Sequence, residues 1–238
     1  NISGVFSHNE QTIVKVPDDV INNFAGNGKD QNIMGRPKNS MFGYVATGLF
    51  QSQEEVDAAP TQTGAAPGRI RYKDINKDGK INDEDRTWIG VENPALEYGV
   101  TVGLTYKNFD FSIFFNGVFG NDVLNTKRFD QPSNMPMRWT ADNPTNSYPR
   151  LNANRQTKLS DWWVEDGSFV RIQTMTLGYS IPFSKKDAAR KIRLYVSADN
   201  LYTFTGFEGY DPEVGMTGIY SGGYPRLRKW TFGADFTF

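Results

Sequence analysis

The chain of 238 residues has no cysteine and a single histidine, His8. The first absence excludes disulfides, thiolate metal sites and thiol catalysis. The second argues against His-based catalysis and His-ligated zinc. A dominant charge is missing too: 26 Lys and Arg against 27 Asp and Glu leave −1, so no basic field exists to hold nucleic acid. No apolar run reaches the ~18 residues of a transmembrane helix. The N-terminus lacks a charged-then-apolar leader and opens on Asn1 rather than Met, as expected of a piece of a longer chain. Apolar residues are few at 38%, whereas aromatics are plentiful at 14%. That balance suits short alternating strands joined by long polar loops, as in a membrane β-barrel.

Alternation is clearest from Leu96 to Phe119. Leu96, Tyr98, Val100, Val102, Leu104 and Tyr106 fall on one parity, with Glu97, Gly99, Thr101, Gly103, Thr105 and Lys107 on the other. This is period 2, hence a strand with one apolar face. The pattern resumes as Phe109, Phe111, Ile113, Phe115 and Phe119, with Phe114 and Val118 as exceptions on the polar parity. A two-residue turn at Lys107-Asn108, with Asn taking the positive φ such turns need, sets Tyr106 opposite Phe109, Leu104 opposite Phe111, Val102 opposite Ile113 and Val100 opposite Phe115. A slip by one residue would scatter the apolar set over both faces.

Three more strands follow the same rule: Met175-Leu177-Tyr179-Ile181, stopped by Pro182; Ile192-Leu194-Val196-Ala198; and Trp230-Phe232-Ala234-Phe236-Phe238. Ile2 to Phe6 is a weaker candidate. Short connections (Lys107-Asn108 and Phe183 to Lys191) alternate with long ones (Gly120 to Asp166, Thr205 to Arg226, and residues 16–95). Short turns on one side and long loops on the other are the plan of an outer-membrane barrel. The expected fold is therefore all-β, an antiparallel transmembrane β-barrel segment of about six strands, with wall strands in 96–119, 168–204 and 226–238 and long extracellular loops. The alternative is a soluble secreted β-sandwich that binds calcium and glycans, since sandwich strands also alternate.

The chain closes on Thr231-Phe232-Gly233-Ala234-Asp235-Phe236-Thr237-Phe238. Thr231, Gly233, Phe236 and Phe238 resemble the signal read by the outer-membrane assembly machinery. Other stretches carry a wider likeness: Phe42 to Gln51, Ile70 to Ile81, Val164 to Arg171 leading into Thr176-Leu177-Gly178-Tyr179, Val196 to Phe204, and Gly209-Tyr210-Asp211-Pro212-Glu213. With these, essentially the whole chain, in order, resembles the C-terminal part of the SusC/RagA family of TonB-dependent outer-membrane transporters. The resemblance implies barrels of about 22 strands around a plug, located in the Gram-negative outer membrane and capped by a SusD-like surface lipoprotein. It implies import of oligosaccharides or peptides on energy relayed by TonB. The partners it implies are that lipoprotein, TonB through an N-terminal part this chain lacks, the plug and remaining strands, and outer-membrane lipid.

Asp74-Ile75-Asn76-Lys77-Asp78-Gly79-Lys80-Ile81-Asn82-Asp83-Glu84-Asp85 matches a twelve-residue calcium loop. Asp74, Asn76 and Asp78 supply oxygens at positions 1, 3 and 5. Gly79 allows the sharp turn, Lys80 offers its carbonyl, and Asn82 and Asp85 stand at positions 9 and 12. Asp replaces the usual Glu at position 12. A structural calcium ion in an extracellular loop is the expectation, against the plainer reading of an Asx-rich turn. Trp139, Tyr148, Trp162, Trp163, Tyr210, Tyr220 and Tyr224 all fall in the long loops, where they would contact substrate or partner, or pack the loops on one another. Asp161, Glu165 and Asp166 have no supporting cleft, so no catalytic residue and no enzyme is expected.

Overall fold

A computed structural model of the chain describes residues 1–18, 33–128, 132–151, 158–182, 191–215 and 217–237. Six strands form one antiparallel sheet: β1 (Ile2–Ser7), β2 (Leu96–Tyr106), β3 (Phe109–Phe119), β4 (Phe169–Ile181), β5 (Lys191–Thr205) and β6 (Lys229–Thr237). They stand side by side in chain order. The β2/β3 register is the one the alternation demands, with Tyr106 opposite Phe109, Leu104 opposite Phe111, Val102 opposite Ile113 and Val100 opposite Phe115. The positive φ of the turn, however, falls on Lys107 at 53°, not on Asn108. Both turn types that match strand twist need φ > 0 at the first central residue, and that residue is Lys107.

One row then runs across all six strands: Ile2, Val102, Ile113, Met175, Ala198 and Trp230 are successive partners. The row below continues Leu104, Phe111, Leu177, Val196 and Phe232. This face is open: Leu104 is 60%, Phe232 79% and Phe236 59% exposed. A soluble monomer rarely leaves so large an apolar patch uncovered, and a sandwich would cover it with a second sheet. Among the described residues no such sheet exists, so the sandwich alternative is set aside. The sheet has free edges at β1 and β6 and does not close on itself.

The opposite face carries Gly, Ser, Thr and a few charges. Thr176 and Ser197 share a hydroxyl hydrogen bond of 2.9 Å. Arg193 on β5 reaches over β4 to Asp110 on β3, at 2.9 and 2.6 Å, and also meets Asp235 on β6 at 3.1 Å. Gly178 lies beneath this bridge.

Strand β4 departs from simple alternation. Ile172 pairs with Phe115 and Thr174 with Phe114, so the register shifts and Gln173 has no partner on β3. Before the shift the apolar face holds Val170 and Ile172; after it, Met175 and Leu177. Phe169 and Arg171 are thereby placed on the polar face, opposite Val118 and Asn116.

The register also sorts the connections. Ser7, Leu96, Phe119, Phe169, Thr205 and Lys229 lie at one end of the sheet, from which every long loop departs. The Lys107-Asn108 turn lies at the other, with the connection from Phe183 onward, whose residues 183–190 fall outside the described residues.

The buried core is in the loops, not the wall. Tyr44, Leu49, Ile70, Tyr72 and Ile81 cluster together, with Trp139 and Trp162 packed against them. Short ladders build this layer: Ser40–Tyr44 with Arg86–Val91, Ala46–Leu49 with Ile70–Tyr72, and Thr61–Gln62 with Lys80–Ile81. Helix α1 (Gln53–Ala58) starts where the Ser52 hydroxyl accepts from the Glu55 amide, satisfying one of the free N–H groups of a first turn. Asp122–Asn125 pairs with Val164–Asp166 and Ile219–Tyr220, beside a second cluster of Val123, Phe207 and Tyr220.

Candidate functional site

The calcium-like loop is built as a series of Asx turns. Asp74 accepts from the Lys77 and Gly79 amides at 2.7 and 2.9 Å, Asn76 from Asp78, and Asp78 from Lys80. Gly79 has φ +81°, the left-handed conformation that glycine adopts without strain. The fully buried Asp85 carboxylate closes the loop, accepting from the Ile75 amide at 2.8 Å and the Asn82 amide at 2.9 Å. Asn82 accepts in turn from the Glu84 amide. The donor set is one of hard oxygens, as calcium requires, and each carboxylate oxygen keeps a lone pair beyond the bond described. Among the described residues, no three His, Cys, Asp or Glu side chains converge closely enough to hold an ion. Any coordination here therefore draws on Asn76, Asn82 and the Lys80 carbonyl as well as on carboxylates.

A second constellation was not anticipated from the sequence. Arg171, only 1% exposed, gives Nη1 to Glu213 at 2.6 Å, Nη2 to Asp211 at 2.7 Å and Nε to the Thr203 hydroxyl at 2.9 Å. Arg226 grips the same two carboxylates at 2.9 and 2.8 Å. Two guanidinium groups and two carboxylates thus neutralise each other, and three of the five N–H donors of Arg171 have acceptors here. A buried charge is tolerated only with this degree of pairing. The knot ties residues 211–226 to the wall strand β4. Nearby, Arg128 forks onto Glu208 at 3.1 and 3.0 Å and donates to the Trp162 carbonyl. Glu165 accepts from Asn125 and from the Glu208 amide.

The loop aromatics divide by environment. Trp139 donates its indole N–H to Gln51 at 3.0 Å and, like Trp162, packs on the loop core. Trp163 is half-buried in the same short 3₁₀ turn, Asp161–Trp163. Tyr220 is buried against Phe207, and its hydroxyl accepts from the Tyr210 amide. Tyr148 is half-buried and donates to Glu208 at 3.4 Å. Tyr210 and Tyr224 stand free at 65% and 99% exposure, on the rim of a concavity of 380 Å³ that also includes Asp211, Glu213 and Arg226. The carboxylates Asp161, Glu165 and Asp166 are not brought together as an acid–base pair. Asp161 accepts from the Ala46 amide, and Asp166 from the Ser168 amide.

Burial decides the ionisation behaviour here. Desolvation pushes the Tyr72 phenol up to about 12. It raises Tyr44 further, helped by the hydrogen bond that Tyr44 donates to Asp83 at 2.9 Å. It also raises the Asp161 carboxyl, against the backbone N–H groups that favour the ion. The two tyrosines are thereby driven away from the neutral range in which a catalytic base works.

On the C-terminal strand, Thr231 faces Ser197 and Gly233 faces Tyr195, whose ring fills the space a Cβ would take. Phe236 lies on the open apolar face opposite Ile192. Phe238 lies outside the described residues.

TonB-dependent receptors P26 and P3 of Formosa agariphila are 32% and 31% identical over 92% and 98% of the chain. TonB-dependent receptor SusC of Bacteroides thetaiotaomicron is 27% identical over 82% of it. The chain belongs to the SusC/RagA family of TonB-dependent receptors. No family model matches the sequence. The chain spans about a quarter of the length of these curated relatives, 24%, 26% and 20% respectively. Its fold superposes along its full length on 27% of a chain in the RagAB peptide transporter structure, with TM-score 0.75 and 20% identity. An open-open state of the RagAB peptide importer gives TM-score 0.70 at 21% identity, with 26% of that chain covered. TonB-dependent receptors reside in the Gram-negative outer membrane, and the family consists of transporters rather than enzymes.

Proposed function

We propose that these six strands form part of the wall of a closed, plugged barrel, and that the loop layer lines the outer vestibule of a TonB-energised nutrient importer. The observation that carries the reading is the apolar row running from Ile2 to Trp230, exposed on one face, with every long loop at one end. A wall strand in lipid needs that outward face, and lipid tolerates no unpaired edges, so β1 and β6 would pair with further strands. Cargo is an oligosaccharide or peptide. A SusD-like lipoprotein closes the vestibule, and TonB engages a part of the protein outside this chain. The peptide transporter among the structural neighbours supports the peptide reading. The test is uptake of labelled oligosaccharides and peptides by cells carrying the full-length protein, with and without an uncoupler, together with recovery of a co-purifying lipoprotein. Uptake that ignores the uncoupler would overturn the reading.

Calcium at Asp74, Asn76, Asp78, the Lys80 carbonyl, Asn82 and Asp85 is the second part of the proposal. It is supported by the ligand spacing and by the Asx turns that pre-shape the loop. The ion would rigidify the loop rather than signal. Affinity in the range of about 10⁻⁴–10⁻³ M suffices outside the cell. Calorimetric titration of the full-length protein with calcium tests it, since Asp74→Ala should abolish the heat that the wild type shows. A wild-type protein that takes up no calcium at 10 mM, roughly ten times the weakest affinity expected, would end the proposal.

A further inference from the structure

The loop layer encloses a second cavity of 390 Å³, with Arg69, Arg150 and Lys158 in its lining and no carboxylate among the described lining residues. The volume lies at the small-ligand end of binding pockets. The three cations are poorly matched by the protein. Arg69 makes no side-chain hydrogen bond or ion pair among the described residues, and its Nε is buried without a partner. Arg150 has only the Pro67 carbonyl, at 3.2 Å. Lys158 donates one bond to the Ile81 carbonyl at 3.3 Å and lies 4.2 Å over the Tyr44 ring, which leaves ammonium donors in hand. Burial also holds Lys158 below the ordinary lysine range, although Asp83 and Asp85 pull the other way. The buried guanidinium of Arg171, by contrast, meets two carboxylates.

A buried guanidinium N–H without an acceptor is costly, and charge-assisted bonds to a planar or tetrahedral oxyanion are the strongest way to satisfy it. Gly64, Gly68, Ile70 and Pro149 give the cavity an apolar, uncluttered wall beside the cations, a surface suited to the C–H face of a sugar ring. None of the lining residues lies on a wall strand, so the cavity sits in the loop layer and not on the lipid-facing surface.

We propose that Arg69, Arg150 and Lys158 form a subsite for an oxyanion, a carboxylate or a sulfate ester, carried by a saccharide that enters the vestibule. The choice of a saccharide carrier rests on the importer reading; the oxyanion site does not. The full-length receptor in detergent is titrated with an oligoglucuronate and with a neutral oligoglucoside of equal length, at constant ionic strength, and crystals are soaked in selenate. The acidic oligomer should bind at least tenfold more tightly than the neutral one. Arg69→Gln should remove that preference while leaving the melting temperature and the calcium titration unchanged, and Arg69→Lys should retain part of it. Selenate should appear against Arg69 and Arg150. Equal binding of the two oligomers, or a preference untouched by Arg69→Gln and by Arg150→Gln, would overturn the subsite. Selenate in the cavity without oligomer binding, or a lipopolysaccharide phosphate seated there in protein from native membranes, would overturn the saccharide assignment. Oligomer binding without uptake by cells would count against the importer reading and leave the subsite standing.

Discussion

Arg193 holds Asp110 across an intervening strand, and it can do so because residue 178 between them is glycine. A Cβ at that position would stand 2.5 Å from Asp110 Oδ1 and 2.6 Å from Arg193 Nε. Gly178→Ala should therefore push the guanidinium off its carboxylate and destabilise the wall by about 1–3 kcal/mol, the usual range for overpacking. Heat-modifiability on gels reads this in the full-length barrel. If the bridge is incidental, Asp110→Asn alone will match wild type and Gly178→Ala will cost nothing.

The two faces of β2 should respond differently to charge. Val102→Arg should cost about 2–4 kcal/mol if Val102 lies near the bilayer midplane, and Thr101→Arg, on the other face, much less. Equal losses at the two positions, measured by folding into vesicles, would contradict the assigned parity.

Arg171→Gln should free the loop that carries Asp211 and Glu213. Removing one partner of a buried ion pair costs about 3–5 kcal/mol, because the other charge stays behind. Arg171→Lys should rescue little, since an ammonium cannot fork onto two carboxylates. Limited proteolysis between residues 205 and 228 is the measurement, and wild-type resistance in Arg171→Gln would refute the role of the knot.

Asp161 provides a dependence on pH. Its carboxyl is raised by burial, so folding favours the protonated form. The stability it contributes is complete below the ordinary carboxylate value of about 4 and is lost as pH rises through the higher folded value. Asp161→Asn keeps an acceptor for the Ala46 amide but cannot ionise. The melting temperature of the full-length protein should fall more steeply in the wild type than in Asp161→Asn as pH rises through that folded value. Parallel profiles would show that the carboxyl is not the cause.

A small tag inserted at Lys107 should escape labelling on intact cells, whereas one at Tyr224 should label, because the short turn lies at the end of the sheet opposite the long loops. Labelling at Lys107 would invert the orientation.

What the sequence made legible was local and periodic. The β2/β3 register followed from which residues share a face, because one residue of slip reverses every side chain. The Asx turns of residues 74–85 were readable in the same way, since Asp, Asn and Gly at fixed offsets set each turn by position. The Arg171 knot was not readable, because its four charges come from segments whose meeting depends on how the loops fold back. The resemblance did select both Val164 to Arg171 and Gly209 to Glu213, but it carried no hint that they touch. The uncompensated cations at Arg69, Arg150 and Lys158 were hidden by a balanced total charge, which says nothing about local matching. The shift at Gln173 was detectable in principle: Val170 and Ile172 occupy even positions, whereas Met175 and Leu177 occupy odd ones.

That shift makes Gln173 a comma in the strand. Read without it, the alternation that sends Leu177 and Met175 outward would send Arg171 outward as well, and Val170 inward. With it, one continuous strand addresses hydrocarbon along its lower half and still delivers a cation to the inner side at its upper end, where two carboxylates wait. Because Ile172 and Thr174 face consecutive residues of β3, Gln173 is the surplus residue, and the bulge absorbs it without turning Val170 and Ile172 away from the face that Met175 and Leu177 share. A one-residue bulge is thus how a barrel wall can carry an extra residue and keep what it says to its two surroundings unchanged along its height.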